Sequence, residues 1–256
     1  MNWVLIAVVA AITIGGLAVG WWSAWLGHSY IDDEETETAV FAPATCAQCG
    51  SEVGRSPLGI LAAFKCGTCA HRLPAMWWIA TVAVPVFGLA MLHPWGTTLV
   101  LIPYLWLVPV LVTASVVDLR LLLIPKRIAW TGFLVGLALV VAVSLERGLP
   151  SAITNALIGA AGYFILLFVI WFIAPRGMGF GDVRLAAVLG LYLGWIDLVL
   201  VAVGLFIACV VGLAMGIGMR IATKERHFPF GPALALGALI TIWFWEFWQE
   251  LLIPTA

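Results

Sequence analysis

The sequence predicts an all-α polytopic membrane protein: a bundle of about eight transmembrane helices with one small cysteine-rich loop outside the bilayer. Of its 256 residues 64% are hydrophobic and only 10% charged, and the mean hydropathy is +1.12, far from the composition of soluble domains. A spanning helix needs about 20 mostly apolar residues, and outside residues 27–74 nearly the whole chain divides into such lengths. The period-two alternation of a membrane β-barrel is absent. A formal net charge of −1 says little about partners of such a chain, and no basic stripe or polybasic run offers a surface to nucleic acid.

Residues 1–54 contain no Lys or Arg, so the apolar run Trp3–Leu26 lacks the charged start of a signal peptide and is long enough to span. Residues 1–26 therefore read as a retained first transmembrane helix. Residues 27–74 form the one sizeable soluble segment, opening with an acidic linker, "DDEETE" (Asp32–Glu37). Pro, Gly and charge clusters cut the remaining bundle, residues 75–256, at about 75–92, 97–117, 126–145, 152–174, 183–195, 197–219 and 231–252. The sixth span, 183–195, is short for a crossing and belongs inside the bundle, where surrounding protein tolerates it. No internal repeat is evident. Cys209, alone in a late span, reads as a buried packing residue.

Orientation follows from the basic residues, because short cytoplasmic loops collect Lys and Arg. With eight crossings and an outside N-terminus, eleven of the twelve fall on one side and only Arg147, in "LERGLP", lies opposite. Both termini are then outside. The first loop and the turns "DLRLLLIPKR", "PRGMGFGDVR" and "RIATKERHFPFGP" are cytoplasmic.

In that first loop, "CAQC" and "CGTC" place Cys46, Cys49, Cys66 and Cys69 as two C-x2-C pairs sixteen residues apart. Each pair presents two thiolates, and the intervening length lets the two knuckles face one ion tetrahedrally, which is the spacing of a structural zinc site. Two disulfides are the alternative, disfavoured in a reducing cytoplasm. Four thiolates leave no open coordination position for catalysis, so the metal's role is to fold the loop. His71 reads as a surface residue beside them.

Carboxylates in or at the edge of a span cost about 2.5–3.5 kcal/mol by insertion measurements and so need a reason. Asp197 sits at an outside turn where it suits a helix start, and Glu246, in "IWFWEFW", lies in an interfacial aromatic belt. Asp118 and Asp182 differ. They are 64 residues apart, yet both map to cytoplasmic span ends and can meet across the bundle. Two adjacent carboxyls cannot both ionise easily, so the pair can act as general base and general acid on a water. Gly179 and Gly181 around "GFGD" allow positive φ and close approach of another chain, giving a peptide room beside Asp182. A first-turn position favours negative charge there. The alternative is an ordinary salt bridge for each: Asp118 with Arg120 or Lys126, Asp182 with Arg184.

The combination resembles the type IV prepilin peptidases (prepilin leader peptidases), within the GxGD intramembrane aspartyl proteases. The matching pieces, in order over about residues 46–240, are the two C-x2-C pairs, "DLRLLLIP" around Asp118, "GMGFGDVRLA" around Asp182 and "PFGPALALG" from Pro229. The resemblance implies a bacterial cytoplasmic (inner) membrane enzyme whose Asp118 and Asp182 cleave the leader of prepilins or pseudopilins at the cytoplasmic face, usually after a Gly. It makes Gly179 and Gly181 the motif glycines and Pro229, Phe230, Gly231 and Pro232 a supporting, substrate-side turn. Many family members also methylate the new N-terminus with S-adenosylmethionine. Here the corresponding stretch, "GWWSAWLGHSYIDDEE", lacks the family's Asn and Arg, and "HRLPAMWWIATVAVP" lacks its usual acidic residue. Peptidase activity is the expectation, with S-adenosylmethionine a cofactor only where methylation is retained.

Two other readings compete. A GxGD protease with another membrane substrate would account for "PAL" at Pro232–Leu234, but that class carries a Tyr before its first aspartate, where this chain has Val117, and lacks the four-cysteine loop. A transporter or assembly factor using the aspartates for ions would need more polar residues along its spans.

Overall fold

With no water in the hydrocarbon core, a long apolar segment can satisfy its backbone N–H and C=O groups only internally, so each one folds as a helix. The computed structural model describes residues 3–33, 38–54, 64–175, 178–223 and 229–252, which form ten helices and two strands. In chain order they are α1 (Trp3–His28), β1 (Tyr30–Asp33), β2 (Thr38–Phe41), α2 (Ala75–Ala90), α3 (Leu92–Trp95), α4 (Leu101–Leu121), α5 (Lys126–Glu146), α6 (Pro150–Ile173), α7 (Phe180–Ile196), α8 (Val199–Thr223), α9 (Gly231–Trp243) and α10 (Trp245–Leu252).

Six of these segments are long and apolar enough to cross a membrane: α1, α2 with α3, α4, α5, α6 and α8. The pair α9–α10 makes a seventh if it counts as one span, although it bends by 75° at Phe244. The remaining helix, α7, has 17 residues and is enclosed by α5, α6, α8 and α9, with buried side chains from Asp182 through Trp195. The expected short inner span is therefore α7. Gly159 on α6 and Gly190 and Gly194 on α7 let the two backbones touch: a Cβ on Gly194 would stand 2.7 Å from the Asn155 carbonyl.

Three expectations change. The acidic linker is flanked by a hairpin, with Tyr30 opposite Phe41 and Asp33 opposite Thr38; Glu34–Glu37 lie outside the described residues, as do Arg55, Arg176, Lys224 and Arg226. The last span is broken, and α10 leaves the bundle axis with Glu246, Phe247 and Leu251 exposed. Cys209 is exposed on α8 rather than buried. In a membrane protein the lipid face and the core are both apolar, so an apolar residue's surroundings do not identify which side it faces.

Candidate active site and metal centre

The turn between α4 and α5 sets the site. α4 ends where Leu122 adopts a left-handed conformation (φ 54°) and its N–H bonds back to the Asp118 carbonyl at 2.9 Å. This fixes Asp118 one turn from the helix end, buried, 4% exposed. The N–H of Gly231, first residue of α9, donates to Asp118 Oδ2 at 2.8 Å. A helix start carries N–H groups with no partner inside the helix, and here one of them meets the carboxylate. A Cβ on Gly231 would stand 2.7 Å from that same Oδ2, so only glycine lets the backbone come this close.

Asp182 lies in the first turn of α7, 6% exposed, its N–H bonded to the Gly179 carbonyl at 3.1 Å. The preceding Gly181 abuts Ile124, and Ile124 also abuts Gly231, whose N–H holds Asp118. The two aspartates, 64 residues apart in the chain, thus share one place in the bundle. Asp182 Oδ1 is buried without a hydrogen-bond partner among the described residues. Neither nearby arginine pairs with them: Arg120 Nη1 donates to the Gly27 carbonyl at 2.8 Å, and the Arg184 guanidinium lies over the Phe180 ring, 4.6 Å from its centre. The salt-bridge alternatives do not form with these partners.

The two motif glycines divide in role. Gly179 has φ −71°, and neither it nor Gly181 is among the positive-φ residues. A Cβ on Gly181 would stand 2.9 Å from the backbone nitrogen of Ile124, so its space is taken by the chain's own α4–α5 turn. At Gly179 the nearest atom would be Asp182 Oδ2 at 3.8 Å, and the residue is exposed; the room beside the aspartate is at this glycine. Of "PFGP", Pro229 and Pro232 are buried and Phe230 packs against the core, which holds the Gly231 N–H in place.

Sequence reasoning missed Ile124. It is buried between the elements that carry the two aspartates, its Cδ1 3.2 Å from a Cβ position on Gly231. Its only signal was an apolar residue before Pro125, in a turn between two motif segments.

The cysteine loop packs beside α1. Cys46 N–H bonds to the Ser51 carbonyl and Gly50 N–H to the Cys46 carbonyl; twenty residues on, Cys66 N–H bonds to His71 and Ala70 N–H to Cys66 in the same pattern. Val53 with Ala44 and Leu73 with Phe64 repeat the next bond as well. The two knuckles are thus one motif used twice, a repeat hidden because little beyond the cysteines is shared. Cys46 Sγ lies 3.7 Å from Cys69 Sγ and Cys49 Sγ 3.7 Å from Cys66 Sγ, with all four sulfurs within 4.8 Å of one another. A tetrahedron of thiolates at the Zn–S distance has edges of ~3.8 Å, whereas a disulfide needs about 2.05 Å. The cluster fits a metal ion. Ser51, also missed from sequence, reaches two of the sulfurs: its Oγ is 2.9 Å from Cys49 Sγ and 3.4 Å from Cys66 Sγ. Chiefly through that hydroxyl, helped by backbone hydrogen bonds from Cys69 and Thr68, the Cys66 thiol is lowered to about 5. His71 is exposed, as expected of a surface residue.

Fold and site together define a polytopic membrane helix bundle with a buried carboxylate pair beside a four-thiol knuckle loop. A model of the type IV leader peptidase family matches residues 105–217, a stretch that contains both aspartates. The prepilin leader peptidase/N-methyltransferase of Bacillus subtilis (strain 168) is 31% identical over 179 residues, covering 69% of each chain. Proteins of the same name from Aeromonas hydrophila and Pseudomonas putida are 35% identical over 160 residues (58% of this chain, 50% of the relative) and 28% identical over 212 residues (77% and 70%). No solved structure matches significantly. The chain belongs to the type IV leader peptidase family, a family of membrane enzymes.

Proposed function

We propose that this chain is an intramembrane aspartyl endopeptidase that removes the leader of type IV prepilins or pseudopilins at the cytoplasmic face of the bacterial inner membrane. Asp118 and Asp182 are its catalytic pair, and residues 75–256 its peptidase bundle. The observation that carries the reading is two buried aspartates on separate helices, brought together across Ile124 and Gly231, with Asp182 Oδ1 unpartnered among the described residues. In such a pair the ionised carboxyl takes a proton from water as the water oxygen attacks the scissile carbonyl, and the protonated one donates to the carbonyl oxygen. Collapse of the tetrahedral intermediate then breaks the C–N bond, with the proton delivered to the leaving amine. Gly179 gives the extended peptide access, and the Gly231 N–H holds Asp118. In this reading Cys46, Cys49, Cys66 and Cys69 hold a structural zinc that folds residues 27–74. Methylation lies outside the proposal, because residues 20–35, at the end of α1 and just beyond, lack the family's Asn and Arg; S-adenosylmethionine enters only where methylation is observed.

The test is co-expression with a prepilin from the same genome and mass spectrometry of the product. Asp118→Asn and Asp182→Asn are each expected to abolish leader removal while the protein still inserts in the membrane, because acid and base act as a unit. Cleavage persisting in either variant overturns the assignment. The mass of the mature N-terminus, unmethylated on this reading, is read from the same spectra.

A further inference from the structure

An open groove of about 430 Å³ runs between α5, α6 and α7 on the outside of the bundle. Its walls are Trp130 and Phe133 of α5, Leu157, Phe164 and Ile165 of α6 and several alanines, and its one charged lining residue is Arg184 of α7. Arg184 is two residues from Asp182, so it marks the end of the groove that lies at the level of the aspartates. One helical turn before Trp130 and on the same side of α5 stands Lys126, exposed, with Arg127 exposed on the adjoining face. The groove is thus an apolar trough between membrane helices with Arg184, Lys126 and an interfacial tryptophan at one end.

The Arg184 guanidinium is half-buried, and the contact that defines its position is the face of Phe180. A ring face satisfies the charge but accepts few of the five N–H donors. A phosphate diester accepts two of them side by side, and basic pockets between helices on one membrane face recognise anionic headgroups in this way. A protein helix would have to bring a carboxylate to the same depth. A phospholipid brings the anion and the chain already joined, with the phosphate at the interface where Trp130 belongs.

We propose that this groove is a binding site for one anionic phospholipid, its phosphate on Arg184 with Lys126 alongside, and an acyl chain along Phe133, Leu157 and Phe164. The site is independent of the catalytic assignment. The test is native mass spectrometry of the detergent-purified full chain titrated with phosphatidylglycerol or phosphatidylcholine of identical acyl chains. Phosphatidylglycerol is expected to bind about tenfold or more tightly, since each basic residue near the surface contributes on the order of a fivefold gain. Arg184→Gln is expected to weaken binding of both lipids, which share the phosphate diester, and to cut the preference for phosphatidylglycerol about fivefold, and Arg184→Lys to keep most of both. Ala161→Phe, which fills the groove from an exposed position and leaves the charges in place, is expected to weaken binding of both lipids. Equal binding of the two lipids by the native chain overturns the proposal. So does binding of both lipids that is unchanged in Arg184→Gln, with a preference lost only in a Lys126→Gln/Arg127→Gln variant, which reports a diffuse surface field. A groove built for a protein helix would show no lipid preference while Ala161→Phe weakens cleavage of a membrane-embedded substrate, and that outcome overturns it too.

Discussion

Ile124 has its backbone nitrogen 2.9 Å from a Cβ position on Gly181 and its Cδ1 3.2 Å from one on Gly231. It is the spacer across which the elements carrying Asp182 and Asp118 meet. Gly181→Ala therefore drives a methyl into the backbone of the α4–α5 turn, which cannot rotate away, whereas Gly179→Ala meets nothing closer than 3.8 Å. We expect Gly181→Ala to lose about 1–3 kcal/mol of stability through overpacking, and Gly179→Ala to unfold at the wild-type temperature in the same detergent. A peptide that passes Gly179 will nonetheless show a raised KM in the second variant. Thermal unfolding read with cleavage kinetics separates the two glycines; equal loss of stability in both would contradict the division of roles. At the knuckles, Ser51 reaches Cys49 and Cys66. Partners of metal ligands typically contribute 10–100-fold in affinity, so Ser51→Ala is expected to weaken zinc binding about tenfold in a chelator competition. Cys46→Ser is expected to remove zinc from the purified protein by elemental analysis; unchanged metal content would refute the zinc reading.

Between elements, a short series of hydrogen bonds joins the cysteine loop to the aspartates. Trp25 Nε1 donates to the Val53 carbonyl at 3.1 Å, Ala42 N–H to Ser29 at 2.7 Å, and Arg120 to Gly27 at 2.8 Å. The first two fasten the loop to α1. The third fastens α1 to the last turn of α4, two residues past Asp118. Arg120 is on this view a positioning residue. Arg120→Gln should lower kcat about tenfold and leave KM nearly unchanged, since a small misplacement of one carboxyl weakens the transition state more than binding. In a double-mutant cycle with Cys46→Ser the two losses should be less than additive by about 0.5–3 kcal/mol, the range for residues coupled through one network. Full additivity would show that the loop and the aspartates are independent.

For the molecule as a whole, the asymmetry of basic residues predicts a topology that impermeant thiol labelling can check. Arg147→Cys, in the turn between α5 and α6, should react in intact cells, and Arg127→Cys only after the membrane is opened. The reverse pattern would invert the orientation and the proposed side of cleavage. The six long spans were legible because hydropathy summed over about twenty residues tolerates local error, and the four-cysteine cluster because its spacing is chemically narrow. The bend at Phe244 was not, since no Pro or Gly marks it in "IWFWEFW". The aspartate pair was legible as two charges at one depth. Ile124 was not, because a spacer is recognised only by what lies on either side of it. One consequence follows from α7, the 17-residue helix surrounded by other helices. A helix that touches lipid along its length tilts or shifts when the bilayer thickens or thins, but α7 meets the outer groove only at Arg184 and Ala187 and otherwise packs on protein. Longer or shorter fatty acids will strain α5, α6 and α8 first, so the level at which Asp182 stands is set by protein contacts and holds steady while the cell remodels its lipids.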